Sequence, residues 1–321
     1  MRDRNNSVDL FRTLAAFAVV CIHSNYGKLD PTIVNGIVLS TRWAVPFFFL
    51  ITGYYLFNQL NSISSFPKKA VAKLISIHIV SSFIFILVRI LNNDSLDFGL
   101  VNLLNGTYFH LWFIGSMILG LVFIWYMYQI NLQKLLGIIS ISILIVTTFT
   151  DGYDILISEH ISYMPFLISI PFMHIGMLLR KHQYKLPFTI LIMFVIGLFT
   201  LQFFENYLLN LFSDKFVNQA LSISTIVFVI FLFQTVLKIK INKENYLIKI
   251  GRKYSLFIYL FHPIFFLVFQ QVARASTEIR YYLFNGLQPI LIFIITLSLG
   301  LIINKISPFT FNLLNGQINR L

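Results

Sequence analysis

The sequence predicts an all-α fold: a polytopic integral membrane helical bundle of about ten transmembrane helices, with both termini cytoplasmic. Three observations lead there. Of 321 residues, 57% are hydrophobic and only 11% are charged, with a mean hydropathy of +0.80, whereas a soluble domain carries about 25% charged residues. Apolar runs close to the ~20 residues that cross the hydrocarbon core as a helix recur along the whole chain. Alternating polar and apolar residues, as barrel strands need, are absent, which leaves helices to satisfy the backbone internally in lipid.

The spans fall at 8–26, 43–60, 73–91, 109–129, 134–150, 161–179, 187–204, 217–237, 254–272 and 284–304. The first follows a basic N-terminus, as a signal peptide would. Arg12 interrupts its apolar stretch and no small-residue cleavage site follows, so it is expected to stay in the mature protein. The second carries Pro46, and the third has His78 in its inner third. The fourth opens on His110-Leu111-Trp112 at the outer interface, where Trp is a common anchor. Its Gly115 and Gly120 are spaced too widely for GxxxG, so no dimerisation motif follows from them. The fifth, seventh and eighth rest on their apolar composition. The sixth holds Pro171 and His174, the ninth His262-Pro263, and the tenth Pro289. Connectors are short and rich in Asn, Asp and Lys. The expectation is one domain over 1–321, with no internal repeat and no room for a second domain.

A formal net charge of +12 would suggest nucleic acid in a soluble protein. In this chain it reports topology instead, and no nucleic-acid partner is expected. With the N-terminus in the cytoplasm, most Lys and Arg fall inside, among them Lys68, Lys69, Lys73, Lys134, Arg180, Lys181, Lys238 and Lys240. Few fall outside, Arg42 and Arg89 among them, and the acids show the opposite bias. Losing or adding one span would invert every later loop and blur this positive-inside asymmetry. The single cysteine, Cys21, excludes an internal disulfide, and no Cys/His ligand spacing for zinc exists. No metal or bound cofactor is expected.

The first span carries the strongest chemical signal. Ionisable residues inside a spanning helix are costly and normally face a bundle interior or a water-filled cavity. Arg12 and His23 are eleven residues apart, which places them within roughly 20° of one helix face and about 16 Å apart along the axis. Asp9 sits one turn before Arg12. Two readings fit this polar stripe. In one, Asp9 and Arg12 snorkel to the inner headgroups and His23 is wetted at the outer interface. In the other, the stripe is a reaction site. Imidazole is the side chain whose unperturbed pKa lets it accept a proton near neutral pH, so a hydroxyl nucleophile is its natural client.

Asp9-x-x-Arg12 followed by ten residues and His23 resembles the first helix of the acyltransferase family 3 membrane enzymes, whose hallmark is an arginine and a histidine at that spacing. Two further segments are similar. The run from Arg42 to Tyr54 has the family's aliphatic-Pro-aromatic stretch before a Ser-Gly-aromatic triplet, with Thr52 keeping a hydroxyl in place of the serine. The run from Gly251 to Pro263 repeats the family's late span with its Ser, Tyr-Leu and His, here Ser255, Tyr259-Leu260 and His262. Where many members carry Arg-x-x-Arg, this chain has Lys68-Lys69 and Lys73, which keeps the charge but not the bidentate guanidinium geometry.

The resemblance implies a multi-pass enzyme of the bacterial plasma (inner) membrane. It would move an acyl group, usually acetyl from acetyl-CoA, to a sugar hydroxyl of a cell-envelope glycan or its lipid-linked saccharide precursor. His23 is then the general base on that hydroxyl. Arg12, Lys68, Lys69 and Lys73 are the nearest partners for a polyanionic donor arriving from the cytoplasm, although topology alone also accounts for any single lysine. Arg12 has a further option, to orient the pantetheine arm or polarise the thioester. Direct transfer and an acyl-histidine relay both stay open. Catalytic contact and structural hydrogen bonding fit His262 equally, since Pro263 withholds an N–H from the helix. Arg42, Thr52, His110 and Trp112 are candidates for the acceptor, with anchoring as the plainer role of Trp112. His78 and His174 suit interhelical hydrogen bonds, and His160 and His182 are loop residues. The rival from another class is a secondary transporter of a small solute or glycan precursor, although no repeated halves with paired broken helices are visible. A membrane sensor is a third reading.

Overall fold

A computed structural model describes residues 5–27, 29–62, 66–92, 94, 106–153, 166–183, 186–212, 221–274 and 278–316. His160, the start of the sixth expected span and the start of the eighth lie outside them. Among the described residues all regular structure is helical, and each of the ten expected positions holds a helix. In chain order these are α1 Asn6–His23, α2 Pro31–Thr41, α3 Ala44–Ser62, α4 Lys68–Leu91, α5 Trp112–Gln129, α6 Gln133–Thr147, α7 Ser169–His182, α8 Phe188–Phe212, α9 Ile223–Lys238, α10 Tyr246–Lys253, α11 Ser255–Arg274, α12 Glu278–Ile306 and α13 Pro308–Leu314.

Capping residues start several of them. Asn5 Oδ1 accepts from the N–H groups of Ser7 and Val8 ahead of α1, and Asn245 does the same for Ile248 in α10. Before α2, Asp30 accepts from Thr32 N–H and Pro31 supplies a first turn that needs no N–H. That hydrogen bond holds the exposed Asp30 carboxyl below its ordinary range.

Seven stretches among the described residues are long and apolar enough to cross a bilayer, and the bent pair α10–α11, with a 79° turn, makes an eighth. The described α7 and α9 have 14 and 16 residues, short of the ~20 that a span needs. Large apolar side chains form bare stripes, such as Ile79, Phe83, Leu87 and Ile90 along α4, or Ile138, Ile141 and Ile145 along α6. Stripes of this kind are costly in water and are the natural lipid face of a membrane helix.

Three boundaries differ from the sequence reading. Residues 31–41, read as connector, form α2, which runs with α3 as one apolar stretch broken at Arg42-Trp43. Lys68 and Lys69, read as loop, form the exposed first turn of α4. The connector before the ninth span contains α10. Its few apolar residues, Ile248 and Ile250, are buried while Tyr246, Leu247 and Lys249 are exposed, so a search for long apolar runs passes over it.

The chain divides into two compact units. The first comprises Met1–Ala44, Ser76–Gly99 and Lys240–Leu321. Here α1 is the centre, touched by α2, α10, α11 and α12. Its buried face is built from Ala15, Ala16, Ala18, Val19 and Val20, small residues that allow neighbouring backbones to approach closely. The second unit comprises Val45–Ile75 and Leu100–Ile239. There α5 and α6 pack on α7, α8 pairs with α9, and α3 crosses α7 through two glycines. A Cβ on Gly53 would stand 1.9 Å from the Met173 carbonyl oxygen, and one on Gly176 2.2 Å from that of Leu50.

Candidate functional site

In the first unit α1 carries two polar clusters, one toward each end. At its N-terminal end Asp9, only 5% exposed, receives two guanidinium groups. Arg12 Nη1 donates to Oδ1 at 3.0 Å, and Arg252 Nε donates to Oδ2 at 2.9 Å. Arg252 also reaches Asn6 Oδ1 at 3.0 Å and forms an ion pair with Glu244. Nearby, Thr13 Oγ1 donates to the Leu247 carbonyl at 2.6 Å, and a Cβ on Gly251 would meet the Asp9 carbonyl oxygen at 1.7 Å. The acid in the first turn is therefore what fastens α10 across α1. The Arg12 side chain remains 28% exposed beyond its bond to Asp9.

The other cluster lies at the C-terminal end of α1. Ser24 N–H and Tyr26 Oη both donate to the Cys21 carbonyl, and Asn25 N–H donates to Gln288 Oε1 at 2.6 Å. These bonds fix the end of the helix on which His23 stands. Its ring stacks on that of His262, with centroids 5.6 Å apart and planes 22° from parallel. His23 is half-buried and His262 fully buried. Arg42, at the α2–α3 break, is close enough to His23 to act on it electrostatically. The break is satisfied locally, since Trp43 Nε1 donates to the Ser40 carbonyl and the Trp43 ring packs edge-on against Phe11.

His262 bonds the backbone of its own helix. Its Nδ1 lies 2.7 Å from the Tyr259 carbonyl oxygen and 3.1 Å from that of Ile258. A carbonyl only accepts, so Nδ1 carries the proton and Nε2 is the accepting nitrogen of the neutral ring. The helix places the Tyr259 carbonyl opposite Pro263, which has no N–H to give it.

The remaining candidates belong to the second unit. Lys68 and Lys69 are exposed and Lys73 is half-buried. The Thr52 hydroxyl donates to the Phe48 carbonyl at 2.9 Å, within its own helix. His110 is fully buried, edge-on to Tyr108 and Phe109, and Trp112 starts α5 half-buried against Phe113. The His174 bond to a neighbouring helix is to Ser140 Oγ, at 3.1 Å. Among the described residues no cluster of His, Cys, Asp and Glu has the makeup of a metal site.

The structure thus joins Asp9 with Arg12 and His23 with His262, and keeps the two pairs at opposite ends of one helix. Sequence reasoning missed Arg252 and Gln288 as members of these clusters. For Arg252 a signal existed, since a buried carboxylate beside one arginine in a lipid-buried helix leaves an acceptor oxygen that calls for a second donor. For Gln288 there was none, because one amide in a long apolar helix names no partner.

A model of the acyltransferase domain matches residues 5–305, nearly the whole chain. Similar curated proteins include an amino-acid racemase of Enterococcus faecalis, 35% identical over 137 residues, which cover 39% of this chain and 20% of the relative. A serine/alanine racemase of Enterococcus gallinarum is 32% identical over 133 residues, covering 36% and 19%. The matched stretch is thus about a fifth of the length of either relative. No solved structure matches.

Proposed function

Because this chain belongs to acyltransferase family 3 and is therefore an acyltransferase, we propose that it moves an acetyl group from acetyl-CoA to a hydroxyl of a cell-envelope glycan or lipid-linked saccharide. The enzyme is a single membrane domain of ten spans with both termini in the cytoplasm of a bacterial cell. The His23 imidazole accepts the acceptor's hydroxyl proton while the oxygen attacks the thioester carbonyl carbon. The carbon–sulfur bond then breaks, and the proton leaves with the thiol. The observation that carries this reading is the His23 ring, held at the end of α1 against His262 with Arg42 in electrostatic range. A guanidinium there suits the negative charge that develops on the carbonyl oxygen. Arg12, with part of its side chain exposed, receives the phosphates of the donor.

The test is mass spectrometry of the host glycan with the wild-type gene, with the gene deleted and with His23→Ala. Acetyl groups should be present only with the wild type, while the variant inserts at normal levels. Full acetylation in the variant would remove His23 from the reaction.

A second reading is favoured by the racemase names of the relatives, which point to amino acids. In it the acyl group goes to an amino acid instead of a glycan hydroxyl. Acetylation of an amino acid that depends on the gene and on His23, with no glycan acetylation dependent on the gene, would support that reading against the first.

A further inference from the structure

We propose that Pro263 is a positioning residue that sets the tautomer of His262, so that this ring offers its Nε2 lone pair as a second proton acceptor in the His23 site. The inference rests on the acyl-transfer reading for its catalytic consequence, though not for the tautomer itself.

In an uninterrupted helix the N–H of residue 263 would bond the carbonyl of residue 259. Proline has no N–H, so the Tyr259 carbonyl lacks its regular helical donor, in a buried stretch of α11 where Tyr259 is 3% exposed. A buried carbonyl needs a donor. The ring one residue before the proline supplies it, with Nδ1 at 2.7 Å, while the Ile258 carbonyl, at 3.1 Å, is the further of the two acceptors. The orientation of His262 and the protonation of its Nδ1 thus have one cause, the absent N–H of the next residue. What one ring nitrogen bonds decides which form the other takes. Every neutral His262 then presents a basic Nε2, instead of dividing the proton between two nitrogens.

This ring is the one stacked on His23. During transfer the hydroxyl proton passes to an imidazole nitrogen as the oxygen–carbon bond forms, and it departs with the thiol as the carbon–sulfur bond breaks. A second neutral imidazole with its lone pair fixed at Nε2 gives that proton a defined place to stay between the two events. Proton transfer by a positioned group is worth about 10²–10⁴-fold in rate.

The test uses the full chain in lipid nanodiscs, with ring-nitrogen NMR of histidine-labelled protein and steady-state kinetics. The signal of His262 among the seven histidines is assigned by its loss in His262→Asn. The wild type should show the proton on Nδ1. Pro263→Ala, which returns an N–H to the Tyr259 carbonyl, should move part of the population to Nε2–H and lower kcat about tenfold or more, with KM for the donor unchanged. His262→Asn keeps a donor for that carbonyl but has no Nε2. It should fold as the wild type does and lose transfer by about a hundredfold.

A proton on Nε2 in the wild type overturns the proposal, and so does His262→Asn with kcat close to wild type. The wild-type tautomer is read without substrate and decides the matter even if Pro263→Ala does not fold. A chain that transfers no acyl group in any form would sink the reaction reading, while the tautomer measurement would still decide the role of Pro263.

Discussion

Gly251 and Asp9 meet backbone to backbone: a Cβ on the glycine would stand 1.7 Å from the Asp9 carbonyl oxygen and 2.8 Å from Thr13 Oγ1. The crossing of α10 over α1 has no space for even one methyl group. Gly251→Ala should push α10 off α1, stretch the Arg252–Asp9 pair and cost about 3 kcal/mol, the upper end for overpacking. Gly197→Ala in α8 meets nothing within 4 Å and should be neutral or slightly stabilising. Thermal unfolding in detergent compares the two. Equal midpoints would refute the close crossing.

The two arginines on Asp9 should separate in their effects. Arg252 bonds Asp9, Asn6 and Glu244, whereas Arg12 bonds Asp9 and keeps an exposed edge. Both are partly open to solvent, which screens the pairs. Arg252→Met is expected to lower stability by about 1–2 kcal/mol with little change in KM for the donor. Arg12→Met is expected to do the reverse and raise that KM at least tenfold. A donor KM that rises equally in both variants would argue that the cluster is purely structural.

Gly53 and Gly176 form a reciprocal contact, each against the backbone of the opposite helix beside Leu50 and Met173. Arg180 Nη1 adds a bond to Tyr54 Oη at 2.9 Å along the same α3–α7 crossing. Close backbone approach is a main source of helix association in lipid. Gly53→Ala and Gly176→Ala should each destabilise the second unit, and the double variant should cost less than the sum, because one displacement relieves both clashes. Unfolding midpoints of the four proteins measure this. Full additivity would show that the two sites are independent.

Arg42→Met removes the guanidinium that acts electrostatically on His23. If that charge stabilises the developing oxyanion, kcat should fall about 10²-fold with KM nearly unchanged. Arg42→Lys should recover part of the loss, since charge is kept and planar geometry is not. A variant that raises KM alone would place Arg42 in substrate binding.

Much of the fold was legible in the sequence because lipid imposes long apolar runs on any helix that crosses it. All ten runs contain helix. The short amphipathic α10 was not legible as an element, because a helix across another helix needs only a few buried residues. The site was half legible. The polar stripe of α1 identified Asp9, Arg12 and His23, and the His262-Pro263 dipeptide marked an irregular place in the ninth span.

By itself the sequence determined that this is a helical membrane protein, and which few ionisable groups its helices carry, since both follow from composition and from the period of one helix. Only the tertiary structure decided their partners. That Asp9 takes Arg252 as well as Arg12, and that His23 meets His262, depends on residues some 240 positions apart in the chain. Periodicity fixes the face a side chain occupies on its own helix. The neighbour on that face is set by how closely the small residues of α1, and Gly251 opposite it, let other helices approach.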